Sequence, residues 1–134
     1  MSMGQPAAKQ GDQIIAVDTH IVMVPSAGPP VPTPLPHPFS GMINDNLSSD
    51  VNIMGMPAAT VDSTADNTPS HIPTPPGTSF QNPPANKGTV KIGSQTVKIN
   101  GKSAARNGDI AETCNDPVDA PVGQVVAVST VFIG

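Results

Sequence analysis

Apolar and polar residues alternate along Val97-Lys98-Ile99-Asn100, which predicts a strand with Val97 and Ile99 on one face. Asn100-Gly101 then supplies the positive φ that a tight reversal needs. Small side chains follow at Ser103-Ala104-Ala105, where backbones must approach closely, and Asn107-Gly108-Asp109 makes a second turn. Val51-Asn52-Ile53-Met54 alternates in the same way. Ile14 to Pro25, IIAVDTHIVMVP, predicts a pair of strands about a turn near Asp18-Thr19. Gln124 to Gly134, QVVAVSTVFIG, resembles Thr89 to Gly101, TVKIGSQTVKING, and hairpins are expected over Thr89 to Asn100 and Gln124 to Gly134.

The stretch at 97–109 has two counterparts. Pro6-Ala7-Ala8-Lys9-Gln10-Gly11-Asp12 repeats its small-small-x-x-Gly-Asp pattern. Met54-Gly55-Met56-Pro57-Ala58-Ala59-Thr60-Val61-Asp62 repeats it again, read here as lacking the glycine before its aspartate. Three copies of one pattern point to a repeat architecture. The first copy has no strand ahead of it, whereas the third does. The C-terminal segment, with Val131-Phe132-Ile133-Gly134 in the place of Val97 to Gly101, supplies the missing piece. The expectation is a ring of three repeats closed by the two ends of the chain, which leaves fewer open sheet edges.

Composition narrows the fold class. The 17 prolines and 12 glycines interrupt nearly every apolar run, which rules out a long helix. The chain is therefore expected to be all-β, a single domain over residues 1–134, with modest layers of β-branched residues rather than aromatic anchors. A net charge of −4 gives no basic patch for nucleic acid. The longest apolar stretch, Ile14 to Val24, contains Asp18 and His20 and is too short to span a bilayer, so no stable membrane insertion is expected. No charged start precedes an apolar run of the secretory kind, so a protein that leaves the cell would travel on another machine.

Two proline-rich stretches, Ser26 to Pro38 and Asn67 to Pro84, read as extended loops too rich in proline for a β-ladder. Gly41 to Ser49 reads as turn-like. The loops after the motif copies carry the whole imidazole and thiol inventory: His20 and His37 after the first, His71 after the second, Cys114 after the third. Taken singly, each is more simply a solvated loop histidine or a small buried thiol. Together they make a donor set that suits one tetrahedral, structural Zn2+. A small domain without aromatic anchors needs such a staple.

The motif copies carry a resemblance. Pro6-Ala7-Ala8, Pro57-Ala58-Ala59 and Ser103-Ala104-Ala105-Arg106, with Asn107-Gly108-Asp109 after the last, resemble the repeats of the PAAR-repeat proteins. The third copy departs by Ser103 for proline, the first has Lys9 for arginine, and the second lacks the arginine and the final glycine. The resemblance covers essentially the whole chain and leaves no room for an appended effector domain.

It implies a compact cone with pseudo-threefold symmetry. Its base would dock on the trimeric β-helical spike of a type VI secretion system or related contractile injection machine, one copy per trimer. Its tip would be held by zinc on His20, His71 and Cys114, with His37 as the fourth ligand. The implied role is structural: completing the spike, aiding membrane puncture and attaching cargo, without catalysis. The implied location is the cytoplasm until assembly, then outside the cell or in a target cell. The alternative is a small zinc hydrolase with three histidine ligands and an open water position, for which Asp18, Asp66 and Glu112 are the acidic residues near the ligands.

Overall fold

The computed structural model describes residues 4–134, so Met1 to Met3 of the first stretch lie outside the described residues. Those described form strands, turns and loops, with no helix among them. In chain order the strands are β1 (Gln5–Pro6), β2 (Gln13–Val24), β3 (Val31–Asp45), β4 (Asn52–Ile53), β5 (Met56–Pro57), β6 (Thr64–Asp66) and β7 (Ser79–Phe80). They continue as β8 (Lys87–Val90), β9 (Lys98–Ile99), β10 (Lys102–Ser103), β11 (Ile110–Thr113), β12 (Ala120–Val126) and β13 (Phe132–Ile133). The protein is all-β.

Seven strands make one sheet in the order β12-β11-β8-β6-β3-β2-β7, and β12 also pairs with β2, so six of them close on themselves. Closure satisfies backbone groups that an open edge would leave unpaired. Ile14, Phe39, Ile43, Ala65, Val90, Ala111 and Val125 point inward and pack as one core. Phe39 is the largest fully buried side chain, so one aromatic does anchor the packing that the sequence assigned to β-branched residues.

β2 is a single twelve-residue strand, not two strands about a turn. Asp18 sits inward with Ile14, His20 and Val22, while Val17 and Thr19 face out. The period of two runs straight through the polar pair. Asp18 is polar because of what it meets inside, not because the chain reverses there.

The proline-rich stretch also differs from expectation. Val31–Asp45 is a fifteen-residue strand paired antiparallel with β2 along the whole of that strand, from Val24↔Val31 to Gln13↔Met42. Prolines 32, 34, 36 and 38 fall on alternate residues, opposite Met23, Ile21, Thr19 and Val17. In an antiparallel ladder every second residue turns its N–H away from its partner, so these prolines remove no ladder bond. The same alternation turns their rings to solvent and leaves His37, Phe39, Gly41 and Ile43 inside. Spacing, not proline content, decides whether such a run can be a strand. Residues 41–45, read as turn-like, continue it.

Three short two-stranded ribbons lie beside the motif copies. β9 and β10 meet about Asn100 (φ 53°) and Gly101 (φ 79°), the reversal expected from Asn-Gly. β4 and β5 meet about Met54 (φ 51°) and Gly55 (φ 82°) in the same geometry. β1 and β13 pair through Gln5↔Ile133 and Pro6↔Phe132, so the two ends of the chain do meet. The longer hairpins expected at Thr89 to Asn100 and Gln124 to Gly134 do not form as such. β8 and β12 join the large sheet, while β9 and β13 pair with β10 and β1. Ile53, Ile99 and Ile133, one from each ribbon, bury against Ala7, Ala58 and Ala104 as a second core.

The motif alanines bond to one another. The Ala8 N–H donates to the Ala105 carbonyl (2.9 Å), Ala105 N–H to the Ala59 carbonyl (3.0 Å), and Ala59 N–H to the Ala8 carbonyl (3.0 Å). All six motif alanines are fully buried, which explains the small side chains. After each copy the chain turns. Asp12 Oδ2 accepts from Lys9 N–H (2.9 Å), Asp109 Oδ2 from Arg106 N–H (2.7 Å) and Ser63 Oγ from Thr60 N–H (2.9 Å). In the second copy it is therefore Ser63, not Asp62, that takes the aspartate's place. Asp62 takes the glycine's place, with φ 79° against 91° at Gly11 and 87° at Gly108. The second copy is complete in length and differs only in residue type.

Candidate metal centre

Asp18 and His20 are two apart on β2, so both point into the closed sheet from the same face. His37 enters from β3 directly opposite Asp18 in register. His71 comes from the segment between β6 and β7, where its N–H donates to Asn86 Oδ1 (2.8 Å). Cys114 follows β11. Among the described residues, Asp18, His20, His71 and Cys114 bring one donor atom each to within 4.8 Å of one another, and this group could hold a metal ion.

The distances fit a small cation. Asp18 Oδ2 lies 2.8 Å from His71 Nε2, 3.4 Å from Cys114 Sγ and 4.0 Å from His20 Nε2. Cys114 Sγ is 3.5 Å from His20 Nε2. Four ligands at 2.0–2.3 Å from a tetrahedral ion stand about 3.3–3.8 Å apart, inside this range. Asp18 Oδ1 also accepts from the Thr113 hydroxyl, so one carboxylate oxygen is oriented while the other faces the cluster. The set offers two imidazoles, a thiol and a carboxylate, all buried, and a carboxylate in such a place needs a compensating charge or proton.

The surroundings of Cys114 hold it as a thiol. Burial pushes its thiol up to about 11, and the Asp18 carboxylate beside it adds to the rise. Backbone bonds from Asn86 and Lys87 act the other way by favouring the thiolate. A divalent cation would displace the thiol proton and join those two bonds in stabilising the thiolate.

His37 stands beside the group rather than within it. Its ring centroid is 5.4 Å from that of His20 and 5.5 Å from that of His71. Its Nδ1 lies 2.8 Å from the Leu35 carbonyl, which makes Nδ1 the donor, and its Nε2 accepts from Thr74 N–H (3.1 Å). Binding a cation through Nε2 would require the Thr74 bond to open. Burial lowers the pKa of His37 below its ordinary value, with His20 and His71 nearby adding to the fall and the Leu35 carbonyl opposing it. The ring of Phe80, 5.9 Å from His20 and 5.4 Å from His37, walls the cluster on one side.

Of the residues expected from sequence, His20, His71 and Cys114 come together, and His37 flanks them. Asp18 joins them as a donor that the sequence reading does not include among the ligands. The signal that could have found it is the Asp-x-His spacing itself, which on a strand puts both side chains on one face. No family model matches this chain, and no curated protein matches it.

Proposed function

We propose that this chain is a metal-stapled, non-catalytic tip protein similar to the PAAR-repeat proteins, capping the trimeric β-helical spike of a contractile injection apparatus. The observation that carries the reading is the cycle of backbone bonds from Ala8 to Ala105 to Ala59 and back to Ala8. A cycle of three like bonds between three like segments is what a pseudo-threefold repeat requires. The ribbons β1–β13, β4–β5 and β9–β10 then present three similar faces around one axis, and a single copy can cap three identical strand ends.

Exposed apolar side chains support the docking end. Val51, Met54, Met56, Val97, Val131 and Phe132 all lie in or next to the three ribbons and are between about a third and just over half exposed. A patch of this kind on an isolated domain marks an interaction surface. The metal cluster supports the opposite, narrow end of a cone. β2 leaves the motif turn at Asp12 and reaches His20 eight residues on, about 25 Å along an extended strand. Proline-rich segments on either side of His37 and His71 would point away from the spike.

For the ion, Zn2+ suits the donors and the buried charge. With a Cys114 thiolate and the Asp18 carboxylate, the cluster sums to neutral. His20, His71 and Cys114 supply three ligands. Asp18 is the nearest fourth donor as the side chains stand, while the nitrogen–sulfur preference of structural zinc favours His37. The neutral sum holds with either. Nothing in the cluster favours the hydrolase reading. Its acidic residue, Asp18, is fully buried and already bonded to Thr113.

Mixing the protein with a candidate spike trimer and measuring the mass of the complex tests the reading. One copy per trimer is expected, with little change in affinity on adding salt, because the contact is apolar. Three copies per trimer, or cross-links from the segments around His37 and His71 to the spike, would overturn it.

A further inference from the structure

His20 Nδ1 is fully buried and, among the described residues, is the one buried side-chain nitrogen or oxygen without a hydrogen-bond partner. Its nearest charged neighbour is Asp116, whose Oδ2 lies 3.4 Å away, beyond good hydrogen-bond geometry but within ion-pair reach. That same Oδ2 accepts from Ile21 N–H at 2.9 Å. The 115–116 segment is clipped along β2 on both sides of His20. Asp116 N–H donates to the Thr19 carbonyl (2.8 Å), and Asn115 Oδ1 accepts from Thr19 N–H (2.6 Å). Asp116 is thus tied to the strand that bears His20 and lies two residues beyond Cys114.

We propose that Asp116 is a positioning residue for the cluster: it takes the Nδ1–H of His20 and holds the ring with its Nε2 lone pair toward Cys114 and Asp18. The reasons are geometric. A buried imidazole nitrogen left unpaired is costly, and the acceptor nearest to it carries a full charge. A histidine that binds a metal through one nitrogen commonly donates the other to a carboxylate, which fixes the tautomer. Here the Nε2 side already faces the sulfur at 3.5 Å, so a donor at Nδ1 is the only tautomer that leaves Nε2 a lone pair for a cation. The Cys114 segment would then set the orientation of His20 as well as delivering its own sulfur.

The proposal rests in part on the metal reading, and its test separates the two. Nitrogen-15 labelled protein, chelated and held at about pH 8, above the ordinary imidazole range, is compared with Asp116→Asn by long-range proton–nitrogen correlation. The substitution preserves an oxygen for the Ile21 N–H and removes the negative charge that favours a proton on His20 Nδ1. The wild type is expected to show His20 as the Nδ1–H tautomer alone, and Asp116→Asn to show a mixture or the other tautomer. Zn2+ affinity by chelator competition should fall about 10–100-fold in Asp116→Asn. Asp116→Glu should recover part of that loss. A wild-type His20 in the Nε2–H form, or an unchanged tautomer in Asp116→Asn, overturns the proposal whether or not metal binds. A wild type that binds no zinc overturns the metal reading and leaves the tautomer result to decide this one.

Discussion

The three isoleucines of the second core offer a direct measurement of how firmly the pairing of β1 with β13 holds the two ends of the chain together. Ile53, Ile99 and Ile133 are 5%, 8% and 6% exposed and pack against Ala58, Ala104 and Ala7 in one cluster. Ile53 and Ile99 lie inside continuous hairpins, whereas Ile133 is the last residue but one and is held by its pairing with Gln5. Truncating a buried isoleucine to alanine costs about 2–5 kcal/mol. With an unfolding entropy of about 2.1 cal/mol/K per residue, 134 residues give about 280 cal/mol/K. Each single variant should therefore lower Tm by about 7–18 °C.

Ile133→Ala should fall in the same range as Ile53→Ala and Ile99→Ala, because the three are equally buried. Urea titration and thermal melting, both in chelator so that metal does not mask the loss, read the effect. Pairs should be non-additive, since all three side chains share one cluster. If Ile133→Ala changes stability by less than about 0.5 kcal/mol while the others cost several, then the C-terminal segment is a fraying tail and the closed ring is wrong.

Cys114→Ser and His71→Ala should each lower metal occupancy and reduce the stability gained on adding Zn2+, which follows RT ln(1 + [L]/Kd); full zinc loading of either variant would count against the cluster. Asp18→Asn and His37→Ala, compared by cobalt absorption, should show which of the two completes the four ligands. In chelator, stability should hold on a plateau and fall on both sides. Below about 6.5, the ordinary imidazole value, the unfolded chain binds a proton that buried His37 resists, so stability drops as pH falls. Above 9.0, the unfolded thiol ionises while Cys114 holds its proton to about 11, so stability drops again as pH rises. With zinc bound the alkaline loss should disappear, because the thiol proton is already gone. Asp62→Gly should raise stability by about 0.5–1 kcal/mol, because φ 79° suits glycine, as at Gly11 and Gly108, and only an exposed 3.7 Å pair with Lys102 is lost. A loss on that substitution would contradict the equivalence of the three turns.

Signals that act over a few residues were legible in the sequence. The Asn100-Gly101 reversal, the alternation at Val97 to Asn100, the three small-residue motifs and the absence of any long helix among the described residues each depend on local φ, side-chain volume or period. The meeting of the two chain ends was legible too, because Val131 to Gly134 repeats a segment whose partner stands elsewhere.

What the sequence left open depends on direction in space. Proline content suggested a loop at 31–38, but only the pairing with β2 determines that every ring and every missing N–H faces outward. Asp18 looked like a turn because local reading credits a buried carboxylate with no partner. Its partners Thr113 and Cys114 lie 95 and 96 residues away, and His71 lies 53 away. Asp62 and Ser63 were misaligned because a backbone angle, not a residue type, defines the glycine position. The ligand residues could be counted from the sequence, whereas their convergence required the closed sheet, since only tertiary pairing brings donors from three separate segments to within 4.8 Å of one another.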